Sequence, residues 1–263
     1  MIYMKNIQDL VVHARHTSRK VRLSHGSRII GGSETTIQDY PYQVFLLMKK
    51  QGDKDVYTVS CGGSIANERC VITAAHCLTG MDAALIRAGS TDSSSGGTFY
   101  PANTLKRHPK YDSKTLDYDI GVIKLSNPIK IDGTNTAKVD LSTSDCPVPP
   151  GTNLTITGWG ITSEGGDSSK ILKQVSITSV SLDDCRKKSY TFLSDRMICA
   201  GVPEGGRSAC NGDSGSPLVL TGTRTQVGLA SFGIGCAQPN IPGVYSNLCA
   251  PDVHEWLKEM ECA

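Results

Sequence analysis

Ten cysteines dispersed from Cys61 to Cys262 limit what this chain can become more than any other feature of its 263 residues. An even, widely spread set reads as disulfides formed in an oxidising compartment, which predicts a secreted, extracellular protein. Zinc is the weaker alternative: no CxxC pair occurs, and the succession Cys61, Cys70, Cys77 has neither finger nor ribbon spacing. A secretory leader is not evident, because Met1 to Arg28 carries charged or polar groups throughout around one apolar cluster, Leu10-Val-Val12.

Charge separates that head from the rest. Residues 1–28 hold six of the 27 Lys/Arg and one of the 25 Asp/Glu, so the head is strongly basic and the body slightly acidic. The net charge of +2 gives no reason to expect a nucleic-acid or membrane partner, and no apolar run approaches the roughly 20 residues of a membrane-spanning helix. With 27 glycines and only 20% charged residues, the balance favours β-structure, in a chain long enough for a large core in one unit or two closely packed lobes.

Short strand-like runs, separated by polar turns, follow one another along the body. They are Gln43 to Met48, Tyr57 to Ile65 and Cys70 to Ala75, then Asn153 to Thr157, Gln174 to Val180, Ser216 to Leu220, Gln226 to Phe232 and Gly243 to Leu248. Such a pattern implies barrels or sandwiches, not a parallel sheet. Asn127 to Gly151 is turn-rich and aperiodic, which places a boundary between two lobes there. Gly89 to Gly97 reads as a flexible loop of nine small polar residues. At the carboxyl end Pro251 suits a first helical turn, and Val253, Trp256, Leu257 and Met260 share one face, predicting a terminal helix docked on the second lobe.

Three polar residues stand out against this apolar background. Ser214 lies in Gly212-Asp-Ser-Gly215, where small neighbours let backbone N–H groups crowd around a hydroxyl. Turn chemistry selects the same residue types, so the motif alone is weak. His76 follows Ala74-Ala75, which leaves room around an imidazole, although a lone histidine beside a cysteine is more often structural. Asp119 stands where a carboxylate meets an apolar strand; partly buried there, it needs hydrogen bonds or a positive partner, which an imidazolium would supply. Together they run in the order His, Asp, Ser, which differs from the subtilisin and α/β-hydrolase orders and agrees with the chymotrypsin order.

From Ile29 to its end the chain resembles the chymotrypsin/trypsin family of serine proteases. The likeness is carried by Ile29-Ile-Gly-Gly32, Thr73-Ala-Ala-His-Cys77, Asp119-Ile-Gly-Val-Ile-Lys-Leu125, Gly158-Trp-Gly160, Cys210-Asn-Gly-Asp-Ser-Gly-Ser-Pro217 and Pro242-Gly-Val-Tyr245. The resemblance implies two six-stranded antiparallel β-barrels with a C-terminal helix: a basic activation segment over 1–28, a first barrel over 29–135, and a second barrel with the helix over 136–263. It also implies a serine endopeptidase in which His76 is the general base, Asp119 its orienting acid and Ser214 the nucleophile, with the N–H groups of Gly212 and Ser214 as oxyanion hole. Ser231 and Gly233 would present backbone to a substrate strand. Cleavage after Arg28 would free the Ile29 ammonium to pair with Asp213 and order the site.

Substrate choice follows from where the chain departs from the family. The position that is aspartate in trypsins is Ser208, so no carboxylate awaits a substrate Lys or Arg. Gly233 and Gly243 match the glycines that keep the pocket walls open, with Ala209 and Phe232 beside them; Phe232 replaces the usual tryptophan. The resemblance then implies cleavage after large apolar or aromatic residues, and an activating trypsin-like protease distinct from this chain. Polypeptide substrates and protein protease inhibitors are the implied partners, in a monomer with no metal and no cofactor.

Bridges implied by the resemblance are Cys61–Cys77, Cys146–Cys249, Cys185–Cys199 and Cys210–Cys236. Cys70 and Cys262 remain, either as a fifth bridge or as two free thiols. Another bridge common in trypsins is absent, with Leu154 and Leu220 at its two positions, and Asp92 stands alone where trypsins place calcium-loop acids. Asn153-Leu-Thr155 is a glycosylation sequon whose use depends on exposure. The reading of another class is an inactive protease homologue acting as a binding or regulatory module.

Overall fold

The computed structural model describes residues 31–52, 57–141, 146–161, 166–188, 190 and 192–263. Two closed six-stranded antiparallel barrels make up the body. In the first, β2 (Gln43–Lys50), β3 (Tyr57–Asn67), β4 (Cys70–Thr73), β5 (Met81–Ala88), β6 (Thr98–Arg107) and β7 (Gly121–Leu125) close in the order β2-β3-β4-β7-β6-β5. In the second, β8 (Asn153–Gly158), β9 (Lys173–Val180), β10 (Met197–Gly201), β11 (Pro217–Leu220), β12 (Gln226–Phe232) and β13 (Gly243–Asn247) close through the β8–β9 pairing. A short β1 (Ser33–Glu34) adds to β9. Closure removes the exposed strand edges that open sheets must protect.

Strand β2 reads as a nearly continuous apolar run because both of its faces are covered. Val44, Leu46 and Met48 fill the first barrel, while Phe45 and Leu47 turn outward to Ile37, Leu172 and Trp159, whose ring meets that of Phe45 edge-on at 5.4 Å. The outward face thereby joins the first barrel to the second.

Two helices complete the described residues, α1 (Leu182–Lys188) and α2 (Pro251–Glu259). The terminal helix corrects an expectation. Its apolar face, Val253, Trp256 and Leu257, belongs to the core of the first barrel with Val71, Ile123 and Leu125, although the chain arrives there from the second. Amphipathic spacing shows that a face is buried but not what covers it. Cys70–Cys262 fastens that end to β4, so the fifth bridge exists and joins the first barrel to the tail.

The other bridges are Cys61–Cys77, Cys146–Cys249, Cys185–Cys199 and Cys210–Cys236, with no free cysteine among the described residues. Leu154 and Leu220 are direct cross-strand partners in β8 and β11, an apolar contact where trypsins have a bond. The loop from Gly89 to Gly97 is not loose: the Arg87 guanidinium reaches into it and donates to Gly96 O (2.8 Å) and Ser93 O (2.5 Å).

Candidate active site

Strand register brings His76 and Asp119 together. Thr73 at the end of β4 pairs with Gly121 at the start of β7. His76 lies three residues beyond the first and Asp119 two residues before the second, so in antiparallel strands both leave the barrel at the same end. A helical turn at His76–Leu78 follows, and Cys77 is bonded back to Cys61 on β3. The His76 Nδ1 lies 2.7 Å from Asp119 Oδ2, and the His76 backbone N–H donates to Asp119 Oδ1 at 2.8 Å.

Asp119 is wholly buried, deeper than its place at a strand boundary suggests. Its carboxylate is held from both barrels, by the His76 ring and backbone N–H of the first and by Ser231 Oγ of the second, which donates to Oδ2 at 2.5 Å; Ser246 Oγ, also of the second, donates to the Asp119 main-chain carbonyl at 2.8 Å. Ser231, expected only to offer backbone to a substrate, thus has a side-chain task as well. Sequence reading missed Ser246, a buried hydroxyl on β13 with no local signal in the chain.

Ser214 comes from the second barrel by the same logic of register. Pro217 pairs with Leu229, so Ser214, three residues before β11, emerges at the end where β12 finishes with Phe232. Gly212 (φ +94°) and Gly215 (φ +78°) hold left-handed conformations on either side. A Cβ on Gly215 would lie 2.6 Å from Gly62 O and 3.0 Å from Ala74 N, which seats this turn against the segment leading to His76. Gly62 N–H donates to Ser214 O at 2.8 Å across the two barrels. The N–H groups of Asp213, Gly215 and Ser216 are taken by Cys210 O, Ala230 O and Asp213 O, whereas those of Gly212 and Ser214 have no acceptor among the described residues.

A cleft opens beside this turn, lined by Ser208, Ala209, Phe232, Gly233, Gly243 and Tyr245 among others. Cys210–Cys236 ties its two flanking loops together. Ser208 Oγ is turned onto Ala209 O at 2.7 Å. A Cβ on Gly233 would come within 4.0 Å of the Gly243 Cα, and one on Gly243 within 3.3 Å of the Tyr245 ring, so side chains there would narrow the slot. Burial, with the nearby Asp213 charge, pushes the Tyr245 phenol far up and keeps it neutral.

The family model described as Trypsin matches residues 29–257. The chain belongs to the trypsin family. Among curated proteins, "Trypsin 5G1" of Aedes aegypti is 39% identical over 241 residues, covering 90% of this chain and 86% of that one. "Vitellin-degrading protease" of Bombyx mori is 34% identical over 236 residues, covering 88% and 85%. "Trypsin" of Simulium vittatum is 36% identical over 227 residues, covering 85% and 90%. Family and fold together make this a serine endopeptidase of the trypsin family.

In this trypsin-family chain Asp213 is wholly buried and accepts from Gly160 N–H at 2.8 Å and Cys210 N–H at 3.0 Å. A Cβ on Gly160 would lie 2.5 Å from the Asp213 Cγ, which accounts for the second glycine of Gly158-Trp-Gly160. Burial pushes the Asp213 carboxyl up to about 7 despite the two bonds. Among the described residues no cation pairs with it. Arg28 and Ile29, the expected cleavage junction and ammonium partner, lie outside the described residues. Cys61, His76 and Cys77 place ligand-type atoms within 4.8 Å of one another, but the two sulfurs are bonded together and offer no thiolate to a metal.

Proposed function

We propose that the chain is a secreted, monomeric serine endopeptidase zymogen, cut after Arg28 by a trypsin-like protease, that then hydrolyses polypeptides after large apolar or aromatic residues. The observation that carries the catalytic part is the buried Asp119 held 2.7 Å from His76 Nδ1, in a cleft shared with a serine turn in which the Gly212 and Ser214 N–H groups lack acceptors among the described residues. Asp119 fixes the tautomer that leaves the other ring nitrogen free to take the Ser214 proton. As Ser214 Oγ bonds to the substrate carbonyl carbon, the Gly212 and Ser214 N–H groups receive the developing oxyanion. Collapse expels the amine with the proton that His76 returns, leaving an acyl-enzyme; water then repeats the sequence and frees Ser214.

Specificity rests on Ser208, Gly233 and Gly243. An uncharged floor and walls without side chains suit Phe, Tyr, Leu or Met, although two of the three relatives above bear the name trypsin. Activation rests on Asp213, a buried carboxyl that an ammonium at Ile29 would complete. Labelling with an organophosphonate after cutting at Arg28 tests the catalytic assignment: Ser214 should be modified, and an unmodified Ser214 would make the chain an inactive homologue. A peptide-library profile should show large apolar residues before the cut; preference for Lys or Arg would overturn the pocket reading. Purified precursor should not mature itself rapidly.

A further inference from the structure

The segment that leads into β7 and ends on the triad acid, Thr115-Leu-Asp-Tyr-Asp119, holds an unusual backbone. Leu116 (φ +56°) and Tyr118 (φ +52°) are both left-handed, and neither is a glycine or an asparagine. Such conformations persist only where the surroundings impose them. Local bonds supply part of the constraint: Leu116 N–H donates to Asp112 O at 2.8 Å, and Asp112 N–H to Asp117 O at 3.1 Å.

The rest comes from outside the first barrel. Asp117 Oδ2 accepts from Arg196 Nη2 at 2.6 Å, and its Oδ1 accepts from Arg196 Nε at 3.2 Å and from Ser194 Oγ at 2.5 Å. Arg196 directly precedes β10 of the second barrel, and its own carbonyl is fixed by Asn247 N–H at 2.8 Å. The same guanidinium lies 4.9 Å from the centre of the Tyr118 ring, which also stacks on His108 at 4.5 Å. Tyr118 Oη donates to Asp252 Oδ2 on α2 at 2.5 Å. Burial works against the Asp117 charge, yet the Arg196 and Ser194 bonds outweigh it and hold the carboxyl below the usual carboxylate range.

We infer that Arg196 and Asp117 are positioning residues: a two-point ion pair across the barrel boundary that holds the left-handed turn and so fixes where Asp119 meets His76. A two-point guanidinium grip defines direction as well as distance, which a lysine cannot reproduce. Neither residue touches the reacting atoms. Their effect passes through Tyr118, the residue between Asp117 and the acid, and the bond it governs is the one between Asp119 Oδ2 and His76 Nδ1. The inference rests on the catalytic roles proposed above.

The test uses the full chain cut after Arg28, as wild type, Arg196→Lys and Asp117→Asn. Three readouts are followed: kcat and KM on a peptide substrate, the acid limb of the kcat/KM profile, and the low-field proton resonance of His76 Nδ1–H. Both variants should lower kcat by about ten- to a hundredfold with little change in KM. The acid limb should move to lower pH, because a displaced Asp119 supports the imidazolium less, and the resonance should move upfield. Unmoved acid limb and resonance in folded variants would overturn the inference, whatever happens to thermal stability. The resonance needs no turnover, so its displacement supports the positioning role even in a chain whose Ser214 fails to label.

Discussion

The two barrels have the same strand number and closure, but they bring different kinds of order to the cleft. Everything the first barrel contributes is satisfied where it stands: His76 is bonded to Asp119 through ring and backbone, and Asp119 accepts from two serines of the other barrel. Its core runs on into the terminal helix and is closed by Cys70–Cys262. The second barrel contributes a turn shaped by left-handed glycines, two N–H groups without acceptors, and a buried carboxyl with two backbone bonds and no cation among the described residues. One half of the site is complete as the two barrels stand, and the other is built to be completed by something that arrives. That division suits the zymogen proposed above.

The sharpest way to break this contrast is at the chemistry the halves share. Asp119→Asn in the first barrel should lower kcat by about 10⁴-fold, and Ser214→Ala in the second by at least as much. The double variant should lose little beyond the larger single effect, because the groups act as a unit; steady-state kinetics on one substrate would show additive losses if they act separately.

Next in size is the unfinished carboxyl. An unfolded aspartate titrates near 3.9, so between about pH 4 and 7 the folded chain keeps a proton on Asp213 that the unfolded chain has released. Stability of the uncut chain should therefore fall as pH rises through that window, by up to about 4 kcal/mol. Denaturant titrations from pH 4 to 8 should show the slope in the uncut chain and lose it in Asp213→Asn. Cutting after Arg28 should flatten it too; a slope that survives the cut would leave Ile29 without the proposed role.

Smaller effects probe the first barrel's completeness. Replacing Cys70 and Cys262 together by serine should lower stability by about 2–4 kcal/mol while the folded enzyme keeps its kcat, as calorimetry beside an activity assay would show. Smallest is a bond across the barrels: Ser64 Oγ donates to Gln226 Oε1 at 2.6 Å in a buried setting. Ser64→Ala leaves that oxygen unmet and should cost about 1–3 kcal/mol by the same measurement.

Much of this was legible in the chain because its motifs report local necessity. The glycines around Ser214, the apolar strand that runs up to His76 and the apolar strand that follows Asp119 lie where the sequence places them. What escaped depended on distant partners. Met81–Ala88 is rich in helix-forming residues and is a strand only because β2 and β6 flank it. Thr98–Arg107 carries Pro101 in its interior, which masks a strand. Arg87 gave no local sign that it would brace the Gly89–Gly97 loop. Ser231 and Ser246 look like ordinary strand polars until the fold turns them on Asp119.

The bridge from Cys70 to Cys262 has a consequence for survival among other proteases. It spans all but the amino-terminal part of the folded body, and Cys146–Cys249 spans the second half again within it. A single cut anywhere between residues 70 and 262, including the long stretch joining the barrels, yields two pieces that cannot diffuse apart. A nicked molecule would run as one band without reductant and as two with it, while both barrels still face each other across the cleft. For this chain, one internal scission is damage to the backbone without loss of either half of the enzyme.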